Sequence, residues 1–555
     1  MTTDIEIARQ FEPRPIKEIT DKLGIPEDCL MQYGPHITKV HHKALKTPRK
    51  SELNKLILVS ATTPTASGEG KTTTTIGLGQ AFTQLGRSVA LALREPSLGP
   101  CLGMKGGATG GGYSQIMPMD RINLHFTGDF HAITSANNLL SAAIDNHIYH
   151  GNELGIDQRQ IIWRRVMDMN DRSLRQIVVG LGGKTQGVPR EGGFDITAAS
   201  EVMAILCLAK DQQDLNDRID NILVAYRRDG TPIYAKQLGV TGAMMALLRD
   251  AMHPNLVQAF EGTPTFVHGG PFANIAHGCN SLMATRMAMH FADYAITEAG
   301  FGFDLGAEKF FDIKCRIGGL DPDAVVLVTT VRALKMHGGK DKADLASPDP
   351  SSVEAGLVNL EKHIENVQKF HKTPVVAINQ FATDSDEEIN IIKNYCESQG
   401  IPVAVSSHHA DGGKGAIELA KLVIEACKHP IAYAPLYELE DSVVDKVKAV
   451  CKEMYGAEDV AFTKEAEKDL RHIEALDLNH LPICIAKAPS SLSDDPTLHG
   501  RPKDFLVTVR QIQVNAGAGF LVVLTGNIMR MPGLPVVPEA NHYRLLEDGT
   551  IEGMS

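Results

Sequence analysis

The feature that most restricts how this chain can fold is a junction of three elements near its start. Leu56-Ile57-Leu58-Val59-Ser60 is a continuous apolar run, as expected of a strand buried on both faces of a parallel sheet. It leads into Thr65-Ala66-Ser67-Gly68-Glu69-Gly70-Lys71-Thr72, and a helix is expected over residues 72–85 with Gly86 as its C-cap. A glycine-bearing turn between a strand and a helix N-terminus points backbone N–H groups and the positive helix end at an anion. With Gly-Lys-Thr at its end, the turn reads as a nucleoside triphosphate loop of the kind that cradles ATP. Gly68 and Gly70 permit the tight backbone, Lys71 reaches the β and γ oxygens, and Thr72 ligates Mg²⁺. Thr65 stands where the motif usually has glycine.

Two rival turns fit less well. A dinucleotide turn needs Gly-x-Gly-x-x-Gly, and Gly68-Glu69-Gly70-Lys71-Thr72-Thr73 lacks the third glycine. The partitioning ATPases carry a second lysine at the loop's second position, where this chain has Ala66.

The junction recurs as a pattern. Val89-Ala90-Leu91-Ala92-Leu93 completes a βαβ unit, and further strand-like runs lie at 265–267, 294–297, 324–328, 375–378 and 403–405. Amphipathic stretches at 353–370 and 387–398 separate some of them. The expected class is α/β: a mostly parallel sheet in a P-loop NTPase-like main domain, with smaller α/β domains C-terminal to it. A chain of 555 residues exceeds the ~250–300 at which one core stops growing. We expect a nucleotide-binding domain over 1–370, a second α/β domain over 371–500 and a small domain over 501–555. A charged helix is expected at 438–455, and Phe520-Leu521-Val522-Val523-Leu524 reads as a buried strand.

Charge narrows the partners. The formal net charge is −12, so no overall basic field draws in nucleic acid or an anionic membrane. Nine cysteines are scattered without a Cys-x-x-Cys pair, which fits a reducing, cytoplasmic setting rather than a zinc or disulfide framework. The first residues lack a signal-peptide pattern, and no apolar run approaches the ~20 residues of a membrane helix.

Other segments carry chemistry of their own. Arg94-Glu95-Pro96-Ser97 follows the second strand, at the sheet edge where α/β proteins bind ligands. Arg94 there suits a carboxylate or phosphoryl group, or else pairs with a surface neighbour. Six glycines fall within residues 103–113, an anion-approaching loop or a linker. His125-Phe126-Thr127-Gly128-Asp129 and Glu298-Ala299-Gly300-Phe301-Gly302 could each form a Mg²⁺ or substrate turn, or a capping turn. The pairs His41-His42 and His408-His409 lack a partner at metal-ligand spacing and read as solvated.

Taken in order, these segments resemble formate-tetrahydrofolate ligase (formyltetrahydrofolate synthetase) in its monofunctional form. The 103–113 run is similar to one family signature. Val328-Thr329-Thr330-Val331-Arg332-Ala333-Leu334-Lys335-Met336-His337-Gly338-Gly339 is similar to the other. The resemblance covers the whole chain, with no dehydrogenase/cyclohydrolase region before it. It implies that formate attacks the γ-phosphate of MgATP to give formyl phosphate, whose formyl group passes to N10 of tetrahydrofolate. It further implies Lys71 and Arg94 as catalytic residues, residues 65–72 as the ATP loop, and Arg94 with Gly300, Phe301 and Gly302 around the formyl phosphate. Glu95 is implied as a ligand of a monovalent cation (K⁺ or NH₄⁺), and the assembly as a homotetramer. Phe381 and His409 are implied to sandwich the folate ring, His409 standing where the family often has Trp. The competing reading is a P-loop ATPase switch or regulatory module without ligase chemistry.

Overall fold

A computed structural model describes residues 3–49, 53–104, 107–526 and 528–554. Its centre is a sheet of twelve strands. Ten of them form the continuous path: β1 (Leu30–Gln32), β2 (Thr38–Val40), β3 (Lys55–Ala61), β4 (Val89–Leu93), β5 (Asn255–Ala259), β6 (Thr263–Val267), β7 (Tyr294–Glu298), β8 (Ala324–Thr329), β9 (Pro374–Asn379) and β10 (Val403–Ser406). Their spatial order is β1-β2-β5-β6-β4-β7-β3-β8-β9-β10. From β6 to β10 every neighbouring pair is parallel. At the other edge β5, β2 and β1 are added antiparallel.

The apolar runs explain the layering. Successive side chains of a strand point to opposite faces, so a strand that is apolar throughout needs cover on both. Leu56, Leu58, Ala90 and Ala92 face one core, which takes in Leu140 of α2 (Asp129–Tyr149), Leu282 of α3 (Leu282–Phe291) and Leu360 of α5 (Pro350–Lys369). Ile57, Val59, Val89 and Leu91 face the other core, which is built from Ile76, Leu78 and Phe82 of α1 (Lys71–Gln84) and from Leu419 and Val423 of α6 (Ile417–Ala426). Each of the Leu, Ile, Val and Phe side chains among these contributes about 1.5–3 kcal/mol on burial. Gly79 of α1 lies so close to β4 that a Cβ there would stand 2.5 Å from Leu91 Cδ2. Gly79→Ala would therefore push the loop helix off the sheet.

The helix expected at 72–85 is Lys71–Gln84, and those expected at 353–370 and 387–398 are Pro350–Lys369 and Asp386–Ser398. All five later strand-like runs are strands. The sheet continues across residue 370, since β9 and β10 add parallel to β8. The charged helix begins only at Val443, because the Ser442 side chain caps it by accepting from the Asp445 amide. It runs to Val450 and on as a wider turn to Tyr455. The C-terminal part adds a three-stranded sheet containing Phe520–Leu524 between Ile483–Ala486 and Gln511–Asn515. Among the described residues, no helix is long and apolar enough to cross a membrane.

Candidate active site

The parallel topology gathers the carboxyl ends of β4, β7, β3, β8 and β9 along one edge, where open α/β sheets bind ligands. The loop of residues 62–70 leaves β3 there, and Gly70 caps α1 with φ of 72°. A left-handed φ suits glycine, and space demands it as well, because a Cβ on Gly70 would meet Asn379 Nδ2 at 2.4 Å. Asn379, the last residue of β9, donates to the Glu69 carbonyl at 3.0 Å. The Glu69 side chain is buried. One of its carboxylate oxygens accepts the Thr65 amide at 2.6 Å and the other accepts the Thr330 hydroxyl. Thr330 also caps α4 (Val331–His337) by accepting from the Ala333 amide. Glu69 thus fastens the loop to itself and to the second long signature, while Ala66 and Ser67 stay exposed.

Lys71 is the first residue of α1. The hydroxyl of Thr72 donates to Glu298 Oε2 at 2.7 Å, and Glu298 ends β7, the strand between β3 and β4. Arg94, just after β4, places Nε 3.9 Å from Glu298 Oε1. That is too long for a hydrogen bond, and Nε is buried without an acceptor among the described residues. The Gly300 turn lies alongside: a Cβ there would come within 3.0 Å of Arg94 Nη1 and 2.7 Å of Ala273 Cβ. Phe301 next to it has φ of 57°, a conformation that costs a non-glycine residue about 1–3 kcal/mol and clusters at ligand sites. Asp168 holds the loop after Arg94, accepting from the Ser97 hydroxyl at 2.5 Å and the Leu98 amide at 2.9 Å.

Glu95 points into the interior. Burial, and then the Asp129 carboxylate, push its carboxyl well above the usual range. Asp129 accepts from the buried Lys39 ammonium at 2.7 and 2.9 Å and from Asn255 Nδ2 at 2.9 Å. The 125–129 segment is therefore anchored by an ion pair whose lysine nothing in the local sequence marks as functional.

Lys105 and Gly106 of the glycine-rich segment lie outside the described residues. Its end forms a tight hairpin, Gly110–Gly111 against Ser114–Met117. The Tyr113 amide donates to the His409 carbonyl at 2.8 Å and Gln80 of α1 donates to the Tyr113 carbonyl at 3.1 Å. A Cβ on Gly112 would fall 2.1 Å from that same His409 carbonyl, so the segment is a packed surface and not a linker. His409 is exposed beside it. His408 is not solvated as expected: it is buried between the Thr74 hydroxyl at 3.2 Å and the Ser406 hydroxyl at 2.8 Å. Burial and the adjacent His409 push it down to about 3. Phe381 follows β9 half-buried, with the Arg332 guanidinium 3.8 Å above its ring. A cavity of about 670 Å³ lined by Trp163, Arg164, Arg190, Asp195 and Arg530 shares none of these residues.

Residues remote in sequence thus meet at the carboxyl edge of one parallel sheet, and the molecule is an α/β protein with a candidate ligand site at that edge. A sequence model of the family described as formate--tetrahydrofolate ligase matches residues 2–555, and the chain belongs to that family. Its activity is the ATP-dependent ligation of formate to tetrahydrofolate.

Proposed function

We propose that the ligation runs through formyl phosphate, formed where the 65–72 loop, Arg94 and the Gly300-Phe301-Gly302 turn face one another. The observation that carries this reading is the Arg94 Nε donor, buried beside the loop helix without an acceptor among the described residues. A formate carboxylate, and then the formyl phosphate made from it, would supply that acceptor. ATP lies on the P-loop NTPase-like turn of residues 65–72, with Lys71 on its β and γ oxygens. Formate attacks the γ-phosphorus, ADP leaves, and the N10 amine of tetrahydrofolate then attacks the formyl carbon and expels phosphate. Positioning and neutralisation of developing charge supply most of the acceleration in such a transfer.

Mg²⁺ fits the Thr72–Glu298 pair, because a hydroxyl oxygen and a carboxylate are hard donors and Thr72 keeps lone pairs while its proton goes to Glu298. When bound, the ion would neutralise the β and γ oxygens. A monovalent cation fits Glu95 beside Asp129. The Lys39 ammonium is paired with Asp129, and Glu95 Oε2 is buried without a partner among the described residues. The remaining negative charge is met by a proton or by K⁺ or NH₄⁺. For the folate ring, Phe381 and His409 offer the stacking faces, and the ring takes over the Phe381 face from Arg332. A homotetramer and a cytoplasmic setting complete the proposal, the latter supported by nine free, buried cysteines.

The intermediate is tested with formate labelled in both oxygens with ¹⁸O. Transfer through formyl phosphate leaves one formate oxygen in the released phosphate. Phosphate carrying no label would exclude the intermediate.

A further inference from the structure

Strand pairing brings together three histidines that the sequence keeps far apart. His41 and His42 follow β2, and His253 precedes β5. The antiparallel β2–β5 pair aligns Lys39 with Asn255, and the Val40 amide donates to the Pro254 carbonyl at 2.9 Å. The three rings therefore gather into one cluster, tilted against one another, with centroids 4.4 Å apart for His41–His42, 4.2 Å for His41–His253 and 5.2 Å for His42–His253. One nitrogen from each ring lies within 4.8 Å of the others.

We propose that His41, His42 and His253 form a binding site for one divalent transition-metal ion of the zinc class, which staples the end of β2 to the start of β5. Three imidazole nitrogens with an open fourth position are a donor set suited to Zn²⁺, Co²⁺ or Ni²⁺. The two anchoring ligands are His42 and His253, whose Nδ1 atoms are buried without a hydrogen-bond partner among the described residues. A buried polar nitrogen without a partner is uncommon, and here two of them share one cluster. Burial, and then the neighbouring histidines and the Lys39 ammonium, push His253 down to about 3, while burial also lowers His41 and His42. The rings are thus neutral near pH 7, the form that ligates metals.

His41 is the weaker ligand. Its Nδ1 accepts the Lys43 amide at 3.1 Å, and metal capture through either ring nitrogen displaces that bond, directly or by moving the proton to Nδ1. Zinc–nitrogen bonds of about 2.0–2.1 Å in tetrahedral geometry need donors about 3.3 Å apart. The cluster therefore closes by ring rotation on binding. His253 also ties the site to the interior, since its carbonyl accepts from Lys39 Nζ at 2.9 Å.

The test uses the full chain without a histidine tag, stripped with EDTA, dialysed against Zn²⁺ and measured for retained metal. The wild type retains one equivalent, and His42→Gln and His253→Gln each lose it, while His41→Gln retains it more weakly. Equal retention by wild type and both Gln variants, or none by the wild type, overturns the proposal. Should the variants fail to fold, Co²⁺ bound to the wild type decides: a nitrogen-only site gives visible bands without a thiolate charge-transfer band. A thiolate band places the metal on cysteine and contradicts the assignment.

Discussion

The hydroxyl of Thr72 donates to Glu298 Oε2 at 2.7 Å, tying the first turn of the loop helix to the end of the strand beside it. The same carboxylate stands between that turn and Arg94. It sets the spacing between the proposed nucleotide loop and the proposed formate site.

Glu298→Gln should therefore lower kcat more than it lowers ATP affinity. The amide keeps the shape but forfeits the charge that Mg²⁺ and Arg94 would use, and loss of one such electrostatic contact costs about 10²–10³-fold. Thr72→Ser should stay near wild type and Thr72→Ala should not. Steady-state kinetics with nucleotide-binding titrations separate the two effects; a pure KM increase in Glu298→Gln would mean that this carboxylate binds ground and transition states equally.

Gly70→Ala should abolish ATP binding while leaving the fold cooperative. The new Cβ meets Asn379 Nδ2 at 2.4 Å and sits on a φ of 72°. Asn379→Ala combined with Gly70→Ala removes the clash but not the backbone strain, so only part of the affinity returns. Calorimetric titration with ATP checks both.

How much of this was legible beforehand depended on distance along the chain. The βαβ unit and the loop could be read because a continuous apolar strand, glycine and a helix start occupy adjacent residues. The later parallel strands were visible for the same reason. The antiparallel edge was not: β1 and β2 have three residues each and mix polar with apolar side chains. The Thr72–Glu298 contact spans 226 residues and exists only because β7 inserts between β3 and β4, an order that no local pattern encodes. Asn379 packing on Gly70 and Lys39 reaching Asp129 were hidden likewise. His408 and His41-His42 read as solvated pairs because their partners, Thr74 and His253, lie on other elements.

Lys39→Met should destabilise the protein by about 3–5 kcal/mol, since it strands the buried Asp129 carboxylate beside Glu95. Asp129→Asn in the same chain should recover much of that loss. Urea unfolding of the single and double variants measures it; equal destabilisation by both would show that packing, not charge, dominates.

Acid should weaken the fold before any carboxylate titrates in the unfolded chain. Burial is the largest cause of the lowered values of His268, His337 and His363, each at about 4, and of His408 at about 3. Unfolded, each takes up a proton near the ordinary histidine value of 6.5. Their stabilisation is complete above about pH 6.5 and is lost as pH falls toward 4 and 3. Near pH 5, His408→Gln should reduce the slope of unfolding free energy against pH by about 1.4 kcal/mol per unit. An unchanged slope would mean that His408 is protonated in the native state.

The central claim is that the 65–72 loop hands the γ-phosphate to formate and not to water. The most direct measurement is ADP release with formate and tetrahydrofolate supplied singly and together. The account predicts sustained turnover only when both are present, and ADP release indifferent to both acceptors would contradict it.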